Sequence, residues 1–155
     1  MTIDLADAEQ TRALGERLAS LLLAGDLVVL VGDLGAGKTT LTQGIGAGLG
    51  VRGQVASPTF IIARAHPSLG SGPDLVHVDA YRLGSLDEVD ALDLDSSLQD
   101  SVTVVEWGEG LVEQLSEDWL EIRLERPRGE GGADVRVARL IGHGPRWAEV
   151  TLPGS

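Results

Sequence analysis

Five consecutive apolar residues, Leu27-Val28-Val29-Leu30-Val31, run directly into Gly32-Asp33-Leu34-Gly35-Ala36-Gly37-Lys38-Thr39. An unbroken, β-branched run of this kind reads as a strand buried on both faces, as inside a parallel sheet. The segment after it fits G-x-x-x-x-G-K-[ST] at every fixed position. Lys38 to Leu49 then reads as a helix, weakened by Gly44, Gly46 and Gly48, whose bare backbones allow close packing on the sheet. Strand, glycine loop and helix in this order make a phosphate cradle, a P-loop. Glycines let backbone N–H groups turn inward, and the helix N-terminus adds partial positive charge. Lys38 offers its ammonium to the β- and γ-phosphates, and the Thr39 hydroxyl is a hard oxygen donor for magnesium. The expected ligand is a nucleoside triphosphate with Mg2+. Lys38 is the only lysine in the chain. A composition this biased toward arginine keeps its one lysine where a compact ammonium fits and a guanidinium does not.

A cradle of this kind needs acids at the ends of neighbouring strands to hold magnesium and position water. Asp79 closes the apolar run Leu75-Val76-His77-Val78, and Glu106 closes Val102-Thr103-Val104-Val105. Carboxyl ends of parallel strands are where ligands bind in open α/β sheets. Asp79, Glu106 and Lys38 are therefore the candidate catalytic residues, and Thr39, Asp79 and Glu106 the candidate metal ligands. Which acid lies nearer the metal does not follow from sequence. Ser57-Pro58-Thr59-Phe60 occupies the topological place of a switch loop, where the Thr59 hydroxyl can sense the γ-phosphate. His77, Tyr81 and Arg82 bracket Asp79, and a lone histidine on a strand reads as structural. Trp107 follows Glu106 and is placed near the nucleotide, at a partner surface, or in the core. His66 and His143 read as surface loop residues. With no cysteine and scattered histidines, no zinc site is expected.

Before the cradle, Asp7 and Gln10 make a capping box for a helix carrying Leu14, Leu18, Leu21 and Leu22 on one face and ending at Gly25-Asp26. After it, Arg52 to Thr59 reads as loop, Phe60 to Arg64 as a strand and His66 to Asp74 as a connection. Leu75 to Asp79 is a short strand, Ser85 to Leu98 reads as one or two acidic helices, and Val102 to Val105 is a strand. Trp119 to Arg126 and Val135 to Ile141 alternate as a strand pair, and Trp147 to Leu152 reads as an added edge strand. The pattern predicts a single α/β domain over residues 1–155, a P-loop NTPase three-layer sandwich with a mixed, mainly parallel sheet and antiparallel strands at its C-terminal end.

The chain carries a net charge of −12. An acidic surface repels polyanions, because affinity for nucleic acid comes mainly from Lys and Arg releasing counterions. Contact with nucleic acid is therefore expected only indirectly, inside a complex. Carboxylates dominate from Asp79 to Glu121, where Arg82 is the only cation, and arginines are common from Arg123 to Arg146. The acidic stretch suits solubility or docking of a basic protein. The absence of cysteine rules out a disulfide-linked partner. No apolar stretch is long enough to span a bilayer and no leader pattern opens the chain, so a cytoplasmic protein without membrane association is the expectation.

Four motifs in order, GDLGAGKTT from Gly32 to Thr40, SPTF from Ser57 to Phe60, HVDAYR from His77 to Arg82 and EWGE from Glu106 to Glu109, resemble the TsaE family over most of the chain. These are bacterial P-loop ATPases needed to make threonylcarbamoyladenosine in tRNA. The resemblance implies ATP and Mg2+ as ligands, slow hydrolysis by the chain alone, and action with TsaD and TsaB, which carry the threonylcarbamoyl transfer while the ATPase supports multiple turnover. It implies nucleotide contacts from Asp33, Leu34, Gly35, Ala36, Gly37, Lys38, Thr39 and Thr40. Thr39 and Glu106 would hold magnesium with Asp79 assisting, Thr59 would belong to the switch loop, and Trp107 would sit near the ATP site or a partner surface. Thr11, in the N-terminal helix, matches a threonine that the family places near the nucleotide. Two departures stand out: Ile61-Ile62 follows SPTF where a polar residue is usual, and Arg126 to Arg139 is unusually rich in Gly and Arg. Basic nucleotide contacts are not carried over from that segment.

Other functions share a P-loop. A small-molecule or nucleotide kinase needs an acceptor pocket and an arginine-bearing lid, for which Arg126 to Arg128 is the available segment. A guanine-reading N/T-K-x-D motif is ruled out, because the only lysine lies in the P-loop. A non-hydrolysing adaptor would have little use for acids at Asp79 and Glu106.

Overall fold

In the computed structural model, residues 2–32, 37–51, 63–70, 72–79, 100–106, 117–125, 136–148 and 150 are described. The strand before the glycine loop, β2 (Leu27–Val31), lies inside a seven-stranded sheet. The other strands are β1 (Thr2–Leu5), β3 (Ala63–His66), β4 (Asp74–Asp79), β5 (Ser101–Glu106), β6 (Trp119–Glu125) and β7 (Arg136–His143). Their order across the sheet is β1-β7-β6-β2-β5-β4-β3. β2 pairs in parallel with β5 on one side and β6 on the other, and β4 pairs in parallel with β5. The pairs β6–β7, β1–β7 and β3–β4 are antiparallel. The sheet is therefore mixed, a parallel centre with antiparallel additions at both margins. The antiparallel pair β6–β7 was predicted. A strand was expected at Phe60 to Arg64; β3 overlaps it at Ala63 and Arg64 and runs on to His66, and its antiparallel direction was not expected. β1 was not read, since it is only four residues long and carries too little alternation.

One face of the sheet is covered by helices α1 (Ala8–Ala19) and α2 (Lys38–Leu49). Leu14 and Leu18 of α1 and Leu41 and Ile45 of α2 bury themselves against Val28, Leu30, Leu75, Val102, Val104, Leu120 and Ile122. The two-residue alternation of strands puts these sheet residues on one face. The α2 glycines serve a different contact from the one expected. A Cβ on Gly44 would run into the Arg12 backbone, 2.9 Å from its carbonyl carbon, and one on Gly48 would stand 2.5 Å from the Ala19 methyl. Gly15 returns the contact, since its Cβ would meet the Leu41 carbonyl and come within 2.7 Å of the Ile45 nitrogen. The glycines thus bring α2 onto α1, not only onto the sheet.

The N-terminal cap of α1 forms as read: Asp7 Oδ1 accepts from Gln10 N at 2.9 Å, and Gln10 Oε1 reaches back to Ala6 N at 2.8 Å. The helix ends earlier than expected, at Ala19. Ser20 turns its hydroxyl onto the Arg17 carbonyl at 2.7 Å, and the Leu21 and Leu22 amides bond to carbonyls three residues back. Such side-chain bonds compete with the helical ladder. Leu22 is still buried, but from the connection rather than the helix.

At Trp147 and Ala148 the chain does not form the expected edge strand. Residues Pro145–Ala148 form a short helix, α3. Gly144 takes φ 92°, a left-handed conformation that turns the chain, and Pro145 begins the helical turn. Trp147 buries over Gly142, where a Cβ would come within 2.6 Å of the Trp147 Cβ. Arg146 locks this turn down: its Nε and Nη2 donate to both carboxylate oxygens of buried Asp26 at 3.1 and 3.0 Å, and Nη2 also reaches the Leu21 carbonyl at 2.8 Å. The two histidines read as loop residues are also corrected. His66 ends β3 and is buried, and His143 ends β7 half-buried, stacked on Trp119 with centroids 4.5 Å apart. The expected acidic helices at 85–98 lie outside the described residues.

The α1–α2 contact gives a stability test. Alanine normally favours a helix interior over glycine by about 1 kcal/mol. At Gly44 the added methyl has backbone in its way, and overpacking of this kind costs about 1–3 kcal/mol. Gly44→Ala is therefore expected to lower the thermal midpoint by several degrees, read by circular dichroism. A raised midpoint would mean that the helices have room to spare.

Candidate functional site

The site assembles at the carboxyl ends of β2 and β5. β2 runs to Val31, and α2 begins at Lys38 behind Gly37, which has φ 101°. That left-handed geometry suits glycine and starts α2 with no side-chain cap on its first N–H groups. Asp33, Leu34, Gly35 and Ala36 lie outside the described residues. Lys38 is 6 % exposed and folds back, its Nζ donating to the Gly32 carbonyl at 2.5 Å. Thr39 and Thr40 are half-buried on the first turn of α2. One turn on, Thr42 is buried with its hydroxyl on the Lys38 carbonyl at 2.8 Å.

Strand register places the acids. Glu106 stands opposite Leu30 of β2, two residues short of Gly32, and opposite Asp79 of β4. The Glu106 side chain is 4 % exposed, and its Oε2 lies 2.9 Å from Nε2 of fully buried His77. No other partner of this carboxylate is found among the described residues. Asp79 is at the matching end of β4 by its backbone, and its side chain is not among the described features. Among the described residues, no three His, Asp or Glu gather into a metal cluster of their own. A divalent cation here would draw on a hydroxyl, a carboxylate and the phosphates of its ligand. Thr39 and Glu106 fit that need: both supply hard oxygen, as magnesium prefers. The buried Glu106 carboxylate, beside the exit of β2, has chemistry suited to such a cation.

Two further side chains flank Gly37. A Cβ built there would lie 3.8 Å from Thr11 Cγ2 and 3.9 Å from Arg136 Nε. Thr11 is buried on α1 and donates its hydroxyl to the Asp7 carbonyl at 3.3 Å. The α1–α2 contact carries it beside Gly37, at the head of α2. Arg136 was missed. It opens β7 opposite Leu5 of β1, and the pairing of β7 with β1 and β6 brings it beside Gly37. No local pattern marks it, since it follows a segment of many glycines and arginines. Thr59 and Trp107 fall outside the described residues, as do Ser57, Pro58, Phe60, Tyr81 and Arg82. Among the described residues, no helix is long and apolar enough to cross a membrane.

Comparisons with known proteins place the chain in a family. Residues 5–133 match the family model described as threonylcarbamoyl adenosine biosynthesis protein TsaE. The chain is 67% identical over 138 residues to the tRNA threonylcarbamoyladenosine biosynthesis protein TsaE of Streptomyces coelicolor, covering 88% of this chain and 93% of that one. It is 39% identical over 140 residues to the protein of the same name from Bacillus subtilis, covering 90% and 84%. The crystal structure of Bacillus subtilis YdiB superposes with a TM-score of 0.72 at 32% identity, covering 95% of this chain and 88% of that one. With a matching family model over most of its length and close relatives across it, this mixed α/β chain belongs to the TsaE family.

Proposed function

We propose that the chain is a magnesium-dependent ATPase that supports threonylcarbamoyladenosine formation in tRNA, acting with TsaD and TsaB proteins. The observation that carries this reading is the meeting of three features at one sheet end: Gly32 at the exit of β2, Lys38 folded back onto its carbonyl, and the buried Glu106 carboxylate of the adjacent strand. The relatives' names supply the pathway, and the site chemistry supplies the ATPase.

In this reading the loop amides and Lys38 hold the phosphates, and Thr39 and Glu106 hold magnesium with Asp79 alongside. When bound, the cation neutralises charge between the β- and γ-phosphates and lowers the barrier to loss of the γ-phosphoryl group. Lys38 is almost buried, so its ammonium sees a lower dielectric than in water and its attraction for phosphate strengthens. Arg136, beside Gly37, adds a second cation at the same end of the cradle. Thr11 packs a methyl group beside the same glycine. Thr59 would couple the γ-phosphate to a switch loop, and Trp107 would lie at the nucleotide or a partner surface. The chain's acidity favours contact with tRNA through its protein partners rather than alone, and the cytoplasm is the setting for such a complex.

The test is ATP hydrolysis by the purified chain with and without a purified TsaD–TsaB complex. A slow basal rate that rises when the complex is added is expected. No rise, under conditions where ATP demonstrably binds, would reject the partnership. Glu106→Gln keeps the shape of the side chain but removes its charge. It is expected to retain ATP binding in the absence of divalent cation while hydrolysis falls by about 100-fold or more, in line with loss of a group that stabilises transition-state charge. Unchanged turnover would remove Glu106 from the machinery.

A further inference from the structure

His77 was read from sequence as a structural histidine, yet its surroundings give it a more specific task. It sits on β4 opposite Val104 of β5, two residues before the Asp79–Glu106 pair. A residue and its diagonal neighbour on the next strand lie close enough for long side chains to touch. Here they do: Nε2 of His77 lies 2.9 Å from Oε2 of Glu106, with the imidazole 0 % exposed. The other ring nitrogen, Nδ1, is buried with no hydrogen-bond partner among the described residues. An aliphatic residue would fill this place with no polar atom left unsatisfied, so packing alone does not account for an imidazole. The bare Nδ1 also indicates where the ring hydrogen sits. A buried lone pair without a donor is tolerated better than a buried N–H without an acceptor. The hydrogen is therefore on Nε2, and Glu106 accepts it.

We propose that His77 is a positioning residue for Glu106, fixing the plane of the carboxylate that holds the divalent cation. The proposal rests on the magnesium–nucleotide reading above and extends it to a residue that touches neither metal nor nucleotide. A glutamate free to turn about its side-chain bonds loses that freedom when it binds a cation. A donor already seated on one oxygen removes much of that loss in advance. Metal-ligating carboxylates are characteristically held by such outer hydrogen bonds. The sheet supplies the rigidity, because His77 and Glu106 come from two strands locked in parallel register.

The test compares His77→Asn and His77→Gln with the natural protein. A glutamine amide reaches the position of Nε2 and restores the donor, whereas an asparagine amide stops near Nδ1 and leaves Glu106 without one. Affinity of the protein–ADP complex for Mn2+ is measured by calorimetry, and ADP affinity is measured separately in EDTA. For His77→Asn the expected result is an about 10- to 100-fold loss of Mn2+ affinity, with metal-free ADP affinity within about twofold of the natural protein, and substantial recovery in His77→Gln. A folded His77→Asn protein that binds Mn2+ as tightly as the natural chain would overturn the proposal, as would a glutamine variant no better than the asparagine one. If ADP binding by the natural protein shows no dependence on divalent cation, the magnesium reading itself falls and this proposal with it. A second measurement needs no variant: the 15N spectrum of the His77 ring. The Nε2–H form is expected, and an Nδ1–H form would overturn the assignment.

Discussion

Two helices touching at glycine distance set the position of everything else at the site. Gly15 of α1 and Gly44 of α2 leave no room for a Cβ between the backbones. That contact fixes where the first turn of α2 stands over the end of β2. It also carries Thr11 to the side of Gly37, and the β1–β7 pair that precedes and flanks α1 brings Arg136 to the same glycine. A small increase in the helix spacing would therefore move two flanking side chains and the head of α2 together. Interiors packed at crystal-like density transmit such displacements rather than absorbing them.

The site is built from polar groups sunk into an apolar sheet end, each with a partner. Lys38 reaches Gly32, Thr42 reaches the Lys38 carbonyl, and Glu106 meets His77. Leaving any of these groups unpaired at such depth would cost about 1–3 kcal/mol, more for a charge. Far from the cradle the same rule governs Asp26, which is buried and paired to Arg146, tying the C-terminal turn to the entry of β2. The entry and the exit of the central strand are thus held by different means: an ion pair at one end and the Lys38 bond to the Gly32 carbonyl at the other.

Much of this was legible in the sequence because it is local. The run from Leu27 to Val31 and the helix read from Lys38 to Leu49 have observed bounds that match the reading. Glu106 and Asp79 announce themselves as acids closing apolar runs, and the structure sets them in register on adjacent strands. What stayed hidden is non-local. Arg136 is one arginine among several until β7 pairs with β1. His77 looks like any strand histidine until β4 is laid beside β5. The purpose of the α2 glycines depends on a second helix whose glycine is nearly thirty residues away in sequence, as Gly15 and Gly44 show. The strand read at Trp147 failed for the opposite reason. Its alternation was real, but Gly144 and Pro145 supply turn chemistry that outweighs it.

The central claim is that Lys38 and the loop before it form a binding site for nucleotide phosphates. The most direct test is calorimetric titration of MgATP into the natural chain and into Lys38→Ala. Saturable binding to the natural chain is expected, with affinity in the variant lower by about tenfold or more, the consequence of losing hydrogen bonds from a charged donor, which contribute about 1.5–3 kcal/mol. A folded Lys38→Ala protein that binds MgATP as tightly as the natural chain would contradict the account.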